Sequence, residues 1–277
     1  MTKNLVRSGI ITMTIIYAGA LHAQTEAIAK MLGNMVGGGG VSVADSVKAT
    51  KSFMSAKGGS GVYYQYITTM TSKQRGTNYD TTNIYFTNGG EGRSEMNLPG
   101  MMGVKGGSAM ITLAHADQRQ YSLTLDANEK TYSLNVIDTA LLGGLKNNYQ
   151  VTKVGTENIQ GYNCTHAKVV SNMGSGMFKS SSTTDIWTST DIPGYAMIKD
   201  KMTVQKMTPG MMRALAQAGC AGFFVKMVAQ GKDYSMTMTL VKAQQKSFPA
   251  AMFQVPAGYT ETKENMMSRM MKAGTKK

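Results

Sequence analysis

The sequence is poor in charged residues and in the side chains from which enzymes build active sites. Charged residues make up 16% of the 277 positions, and there are three histidines, two cysteines and one tryptophan. Beyond residue 23 only His115 and His166 remain, and neither stands at a metal-ligand spacing from a Cys, Asp or Glu on one face of a predicted strand. No Gly-x-Ser-x-Gly elbow follows an apolar strand, and the acidic residues mostly fall in apparent turns. The sequence therefore predicts no metal site, no cofactor and no enzyme.

Long hydrophobic runs are also absent, except for one near the start. Lys3 and Arg7 precede an uncharged run from Ser8 to Leu21, and small residues lead up to Ala23. This is the layout of a secretory signal peptide, and the run is shorter than the roughly 20 residues that a spanning helix needs. We expect residues 1–23 to be a signal peptide, the protein to be exported to the periplasm or beyond, and no segment to span a membrane.

The chain is basic, with a formal net charge of +13. Loss of Lys3 and Arg7 with the signal peptide lowers this to +11. The basic residues are scattered and form no block of the kind that binds nucleic acid. An exported protein seldom meets nucleic acid, so the sequence predicts solvated basic side chains, with an acidic surface of the cell envelope as the alternative partner.

Residues 24–60 form a Gly-rich extension that is predicted to be helical. Thr25 to Met35 and Ser42 to Ser55 have helical patterns, and each is followed by a glycine-rich break. The glycine run at 37–40 lacks the Lys-Ser/Thr ending of a phosphate-binding loop, which favours a hinge or linker.

From residue 61 the hydrophobic period changes from that of a helix to that of a strand. Arg119 to Asp126 and Tyr132 to Val136 alternate apolar and polar residues on either side of a turn, and so do Phe223 to Ala229 and Tyr234 to Leu240. Seven further strands are predicted, among them Val62 to Ser72 and Tyr195 to Lys201. We therefore expect residues 61–260 to form a mainly β domain, a curved antiparallel sheet or incomplete barrel.

Such a sheet exposes an apolar face, and one helix is well placed to cover it. Thr208 can cap this helix, Pro209 fits its first position, and Gly219 can end it. Residues 261–277 form a basic, Met-rich helix or tail that either docks on the domain or lies on an anionic membrane.

The two cysteines, Cys164 and Cys220, could form a disulfide in an exported protein. Such a bond would contribute about 4 kcal/mol in the chain-entropy model. Cys164 lies in a predicted strand and Cys220 at a predicted helix end, so two separate buried thiols are an equal alternative.

Methionine is unusually abundant, with 25 residues. Its flexible side chain either fills gaps in a core or lines a groove that accepts varied apolar ligands. If there is such a ligand site, we expect it between sheet and helix. The candidate residues are Met211, Met212, Leu215, Trp187, Met236 and Met238.

Several short motifs resemble a bacterial family known as domain of unknown function 4412. They are Val154 to Glu157 leading to Ile159 to Cys164, Ile186-Trp187 before Asp191-Ile192-Pro193, Gly222 to Met227, and Phe253 to Tyr259. This family is similar in organisation to the periplasmic lipoprotein carriers LolA and LolB. The resemblance implies a strongly curved sheet lidded by helices over an apolar cavity, and it brings no established site residues.

Two functions follow as hypotheses. The first is an exported binding protein that holds a lipid or another apolar ligand between sheet and helices. The second is a structural or interaction protein of the cell envelope, with a filled core and no small-molecule ligand.

Overall fold

The computed structural model describes residues 43–73, 76–98, 108–115, 121–136, 148–173, 180–197, 210–231 and 233–262. The predicted signal peptide, the predicted helix Thr25 to Met35 and most of the C-terminal segment 261–277 lie outside these ranges. So do Thr208 and Pro209, the predicted start of the covering helix.

Within these ranges twelve strands form one sheet, and the helices are few. The strands are β1 (Gly59–Ser72), β2 (Gly76–Thr87), β3 (Glu91–Leu98), β4 (Ser108–His115), β5 (Tyr121–Asp126), β6 (Thr131–Val136), β7 (Asn148–Ile159), β8 (Tyr162–Met173), β9 (Ser180–Ser189), β10 (Phe223–Gln230), β11 (Tyr234–Phe248) and β12 (Thr260–Glu261). The helices are α1 (Val43–Met54), α2 (Gly210–Gln217) and a 3-10 helix (Ala250–Phe253).

The sheet joins two meanders at β1. Its strand order is β12-β6-β5-β4-β3-β2-β1-β11-β10-β9-β8-β7. The chain thus runs outward from β1 to β6, restarts at the far edge with β7, and returns to β1 through β11. The predicted mainly β, open and curved sheet is confirmed. It is mixed rather than purely antiparallel, because the two-residue strand β12 pairs in parallel with β6.

Strand β1 has a buried aromatic side chain on each face of the sheet. Adjacent residues of a strand point to opposite faces, so Tyr63 and Tyr64, both buried, lie on different sides. We name the two sides the α1 face, which carries Tyr63, and the α2 face, which carries Tyr64. Each face needs its own cover, and each has a separate core cluster.

The α1 face is covered by α1 and by residues 250–259, which follow β11. One row of partnered residues crosses this face through Tyr63, Tyr85, Arg93, Leu113, Leu123 and Leu134. Phe53 of α1 is fully buried against Leu113, Leu123 and Leu125. The predicted helix Ser42 to Ser55 is therefore present as α1, and it packs into the core of the sheet.

Two further features of the structure differ from the sequence prediction. Residues 195–197 form a helical turn where the strand Tyr195 to Lys201 was predicted to begin, because Gly194 adopts a φ of 79° and Met197 N–H donates to Gly194 O. Residues 198–201 of that prediction lie outside the described ranges. Strand β3 was not predicted. Its alternate positions Glu91, Arg93 and Glu95 are charged, so it lacks the apolar alternation of its neighbours.

Candidate functional site

The candidate site is the large apolar cluster between α2 and the sheet. A row of partnered residues on the α2 face runs from Thr68 through Met238, Met227 and Ile186 to Ala167. In the next row Met70 pairs directly with Met236. Four methionines on three adjacent strands therefore form a continuous patch, which we name the methionine patch (Met70, Met227, Met236 and Met238).

Helix α2 packs on this cluster because its apolar residues recur at helical spacing. Met211 and Leu215 are 5% and 1% exposed, and the half-buried Met212 packs beside them. The helix ends in a Schellman arrangement: Gly219 N–H donates to Ala216 O at 3.1 Å, and Cys220 N–H donates to Leu215 O at 2.8 Å. Gly219 has a φ of 68°, as predicted for the residue that ends the helix.

Two tyrosines extend the cluster along β1. The Tyr64 hydroxyl donates to Pro193 O at 2.8 Å, and the Tyr66 hydroxyl donates to Phe224 O at 2.7 Å. Phe223 packs against both rings, with its centroid 4.4 Å from that of Tyr64. Burial is the largest cause that raises the pKa of both phenols well above the ordinary value. Both therefore stay neutral, and the surface they offer is apolar.

All six residues predicted from the sequence belong to the buried cluster, but Trp187 does not lie between α2 and the sheet. Met211, Leu215, Trp187, Met236 and Met238 are buried in it, and Met212 packs against it. Their role as ligand contacts stays a prediction. Sequence reasoning missed Met70, Met227, Tyr64 and Tyr66, although Tyr64, Tyr66 and Met70 share the even-numbered positions of a strand that it predicted.

Trp187 differs from the other five in its surroundings. It pairs with His166 and Lys226, whereas the adjacent Ile186 pairs with Ala167 and Met227. Because adjacent residues face opposite ways, the indole points to the α1 face, away from the methionine patch. There it donates its N–H to the Glu157 carboxylate and carries Lys226 Nζ 4.7 Å from its ring centroid.

Both cysteines are buried as free thiols in this structure. The Cys164 thiol donates to Tyr162 O at 3.4 Å and the Cys220 thiol to Ala218 O at 3.5 Å. Burial is the largest cause that raises the pKa of both thiols. The disulfide between them stays a prediction, which alkylation of the denatured, unreduced protein would test.

The described ranges hold neither a metal site nor a membrane-spanning helix. No group of three or more His, Cys, Asp or Glu side chains there is placed to hold a metal ion. Among the helices of this part of the chain, none is long and apolar enough to cross a membrane.

The family model "Domain of unknown function (DUF4412)" matches residues 66–259. The chain belongs to this family. The match covers the strands from within β1 through β11, so the predicted family is confirmed. No curated protein matches the sequence.

Lipoproteins and a LolA-superfamily protein are among the similar solved structures. LprF from Mycobacterium bovis is 11% identical, with a TM-score of 0.29, over 71% of this chain and 90% of its own. The LolA superfamily protein NE2245 from Nitrosomonas europaea is 6% identical, with a TM-score of 0.30, over 77% of this chain and 98% of its own. The Mycobacterium tuberculosis lipoprotein LppX is 12% identical, with a TM-score of 0.25, over 72% of this chain and 90% of its own. At these scores the likeness does not bear on function.

Proposed function

We propose that the protein is an exported, non-enzymatic binding protein that holds an apolar ligand, such as a lipid acyl chain, between α2 and the sheet. The observation that carries the proposal is the methionine patch, which belongs to the same buried cluster as Met211 of α2. Thioether side chains have three rotatable bonds and can repack around chains of different shape without a rigid pocket. The neighbouring tyrosine hydroxyls are already hydrogen bonded, so this wall suits a ligand without polar groups.

Ligand entry requires a movement of α2. Met236 and Met238 are 2% and 1% exposed in the cluster that includes Met211 and Leu215 of the helix, so the patch is closed in this structure. The helix has only eight residues and makes its main apolar contacts through Met211 and Leu215. We infer that α2 lifts from the sheet to admit the ligand and that the ligand then occupies the space under the helix.

The same closed packing favours a second candidate, an envelope structural or interaction protein with a filled core. In that case the methionines are permanent core residues and no small molecule enters. The two candidates make opposite predictions for the exported protein, because only the carrier has a saturable apolar site.

The test is titration of the purified exported protein with a fluorescent fatty acid, together with native mass spectrometry for retained lipid. The double variant Met236→Gln/Met238→Gln places amides of similar size on the patch and should lose probe binding, because a buried amide without a partner is costly. Met54→Gln, on the exposed side of α1, is the matched control and should bind like the unmodified protein.

Circular dichroism must first show that the double variant folds; if it does not, Met211→Gln on α2 replaces it. No saturable binding by the unmodified protein, with no lipid retained in native spectra, would refute the carrier. The filled-core envelope protein would then be the better account.

A further inference from the structure

Two lysines of β11 converge on a single aromatic ring on the α1 face. Lys246 Nζ lies 4.7 Å and Lys242 Nζ 5.9 Å from the ring centroid of Tyr63. Tyr85 stacks on this ring from strand β2, at 5.0 Å, whereas both lysines reach it from β11 on the other side of β1. Gly61 is the strand partner of Lys246 and has no side chain, so the lysine can lie across β1 towards the ring.

Neither ammonium group has an acidic partner among the described residues. Glu95 lies in the row of Lys242 and Gln65, and it is already engaged by Arg93 Nε at 2.6 Å and by the Tyr85 hydroxyl at 3.2 Å. The residues beside the lysines are the uncharged amides Gln65 and Gln244, which pair with Lys242 and Tyr63. Two like charges held near one ring, with no counter-charge, form a surface that an anion would stabilise.

Apolar side chains are exposed next to the lysines. Ile67 is 41% exposed on the α1 face of β1, two positions from Gln65. Val241 is 40% exposed and occupies the irregularity in the β1–β11 register immediately before Lys242. Both side chains therefore lie exposed beside the two lysines at the centre of β1 and β11.

We propose that this surface, formed by Lys242, Lys246, Ile67 and Val241, docks the protein onto an anionic phospholipid bilayer. Ammonium groups pair with lipid phosphates, and their apolar stems, with the two aliphatic side chains, reach the boundary between headgroups and acyl chains. A headgroup layer above acyl chains offers phosphate and hydrocarbon at adjacent depths, which matches ammonium groups beside exposed aliphatic side chains. The inference does not depend on the proposed ligand site, which lies on the other face of the sheet.

The test is co-sedimentation of the exported protein with vesicles of phosphatidylcholine alone and of phosphatidylcholine mixed with phosphatidylglycerol. We expect binding to the anionic vesicles only, and weaker binding at 0.5 M salt than at 0.1 M because salt screens exposed charges. The double variant Lys242→Gln/Lys246→Gln should bind about 30-fold more weakly, since each lysine near the surface contributes roughly 1 kcal/mol. Ile67→Ser should weaken binding without changing its salt dependence.

The matched control is Lys73→Gln/Lys130→Gln, which removes the same charge from two exposed turns. It should reduce binding by less than the Lys242/Lys246 pair. Equal losses in the two double variants would mean that net charge alone drives binding, and would overturn the proposal. Absence of binding to anionic vesicles would also overturn it, as would undiminished binding by the folded Lys242→Gln/Lys246→Gln protein.

Probe binding at the apolar site separates this proposal from the carrier function. The lysine variants should bind the fluorescent fatty acid like the unmodified protein. Loss of vesicle binding with retained probe binding therefore supports docking separately from the carrier function. If the unmodified protein binds no probe, the carrier fails and vesicle binding alone decides the docking proposal.

Discussion

Trp187 lies almost parallel to His166, with ring centroids 4.2 Å apart and ring planes inclined by 9°. Lys226 Nζ lies 4.7 Å from the same indole, and the indole N–H donates to the Glu157 carboxylate. His166 Nε2 in turn lies 2.9 Å from Asp185 Oδ1. Polar contacts of one aromatic residue thus connect strands β7, β8, β9 and β10 on the α1 face, opposite the methionine patch.

Replacing the indole while keeping an aromatic ring should weaken this connection. Trp187→Phe retains a ring for Lys226 and His166 but removes the N–H donated to Glu157. We expect a loss of about 1–2 kcal/mol in the free energy of unfolding, from the hydrogen bond and the lost ring volume. Urea unfolding followed by circular dichroism measures it. Tyr79→Phe, at a ring that is 69% exposed, is the control and should cost almost nothing; equal stabilities of the two variants would contradict the role assigned to Trp187.

The sheet could be predicted from the sequence because the alternation of apolar and polar residues in a strand depends only on neighbouring positions. Leu123 and Leu134 are partners in the β5–β6 hairpin, and the predicted turn is closed by Asn128 and Glu129 N–H groups that donate to Asp126 Oδ1. The helix ending at Gly219 was also predictable, since glycine at that position is a local signal. Such patterns do not depend on distant parts of the chain.

The pairing of distant strands could not be predicted in the same way. Strand β1 pairs with β11, so Met70 meets Met236 although more than half of the chain separates them. Nothing near either residue specifies that contact, which depends on the order of all the strands between them. The environment of Trp187 was missed for the same reason, because its partners Glu157 and Lys226 lie on other strands.

We expect helix α1 to unfold together with the sheet in one cooperative transition. Phe53 is fully buried and its ring centroid lies 4.6 Å from that of His115 on β4. We expect Phe53→Ala to cost about 3–5 kcal/mol, because it leaves a cavity between α1 and the sheet. Met54→Ala, at the next position and 49% exposed, should cost less than about 0.5 kcal/mol.

Thermal unfolding of the two variants measures this difference. A single transition at a lower Tm is expected for Phe53→Ala. Two separate transitions, or a Tm equal to that of Met54→Ala, would show that α1 folds independently of the sheet.

Gly194 should tolerate no side chain, for two separate reasons. Its φ of 79° is unfavourable for residues with a Cβ, and a Cβ built there would lie 2.0 Å from Val62 Cγ1. We expect Gly194→Ala to cost at least about 1 kcal/mol from the backbone alone, and more from the displaced Val62. Gly155→Ala is the control, since its Cβ would meet nothing within 4 Å. Chemical denaturation of both variants measures the difference, and a Gly194→Ala protein as stable as Gly155→Ala would refute the argument.

Glu91 should make the stability of the fold depend on pH in the acidic range. Burial tends to raise the pKa of its carboxyl group, but hydrogen bonds outweigh burial and hold the pKa below the ordinary value. The donors include the Thr87 hydroxyl and the Lys57 backbone N–H, the latter at 3.3 Å. These bonds connect the β2–β3 turn to the segment after α1, and they are strongest when the carboxyl group is ionised.

The sign of the pH effect follows from the lowered pKa. The unfolded chain binds a proton at this carboxyl near pH 4.3, whereas the folded protein binds it only at a lower pH. The stabilisation by Glu91 is therefore complete above the pKa of the unfolded chain and is lost as the pH falls through the pKa of the folded protein.

Glu91→Gln should lower the free energy of unfolding at pH 7, and its deficit relative to the unmodified protein should shrink as the pH approaches 3. Urea titrations at pH 7, 5 and 3 measure this, with Glu129→Gln in the exposed β5–β6 turn as the control. A deficit that stays constant over this range would mean that the charge of Glu91 does not contribute to the free energy of unfolding. The packing of its side chain would then account for the deficit.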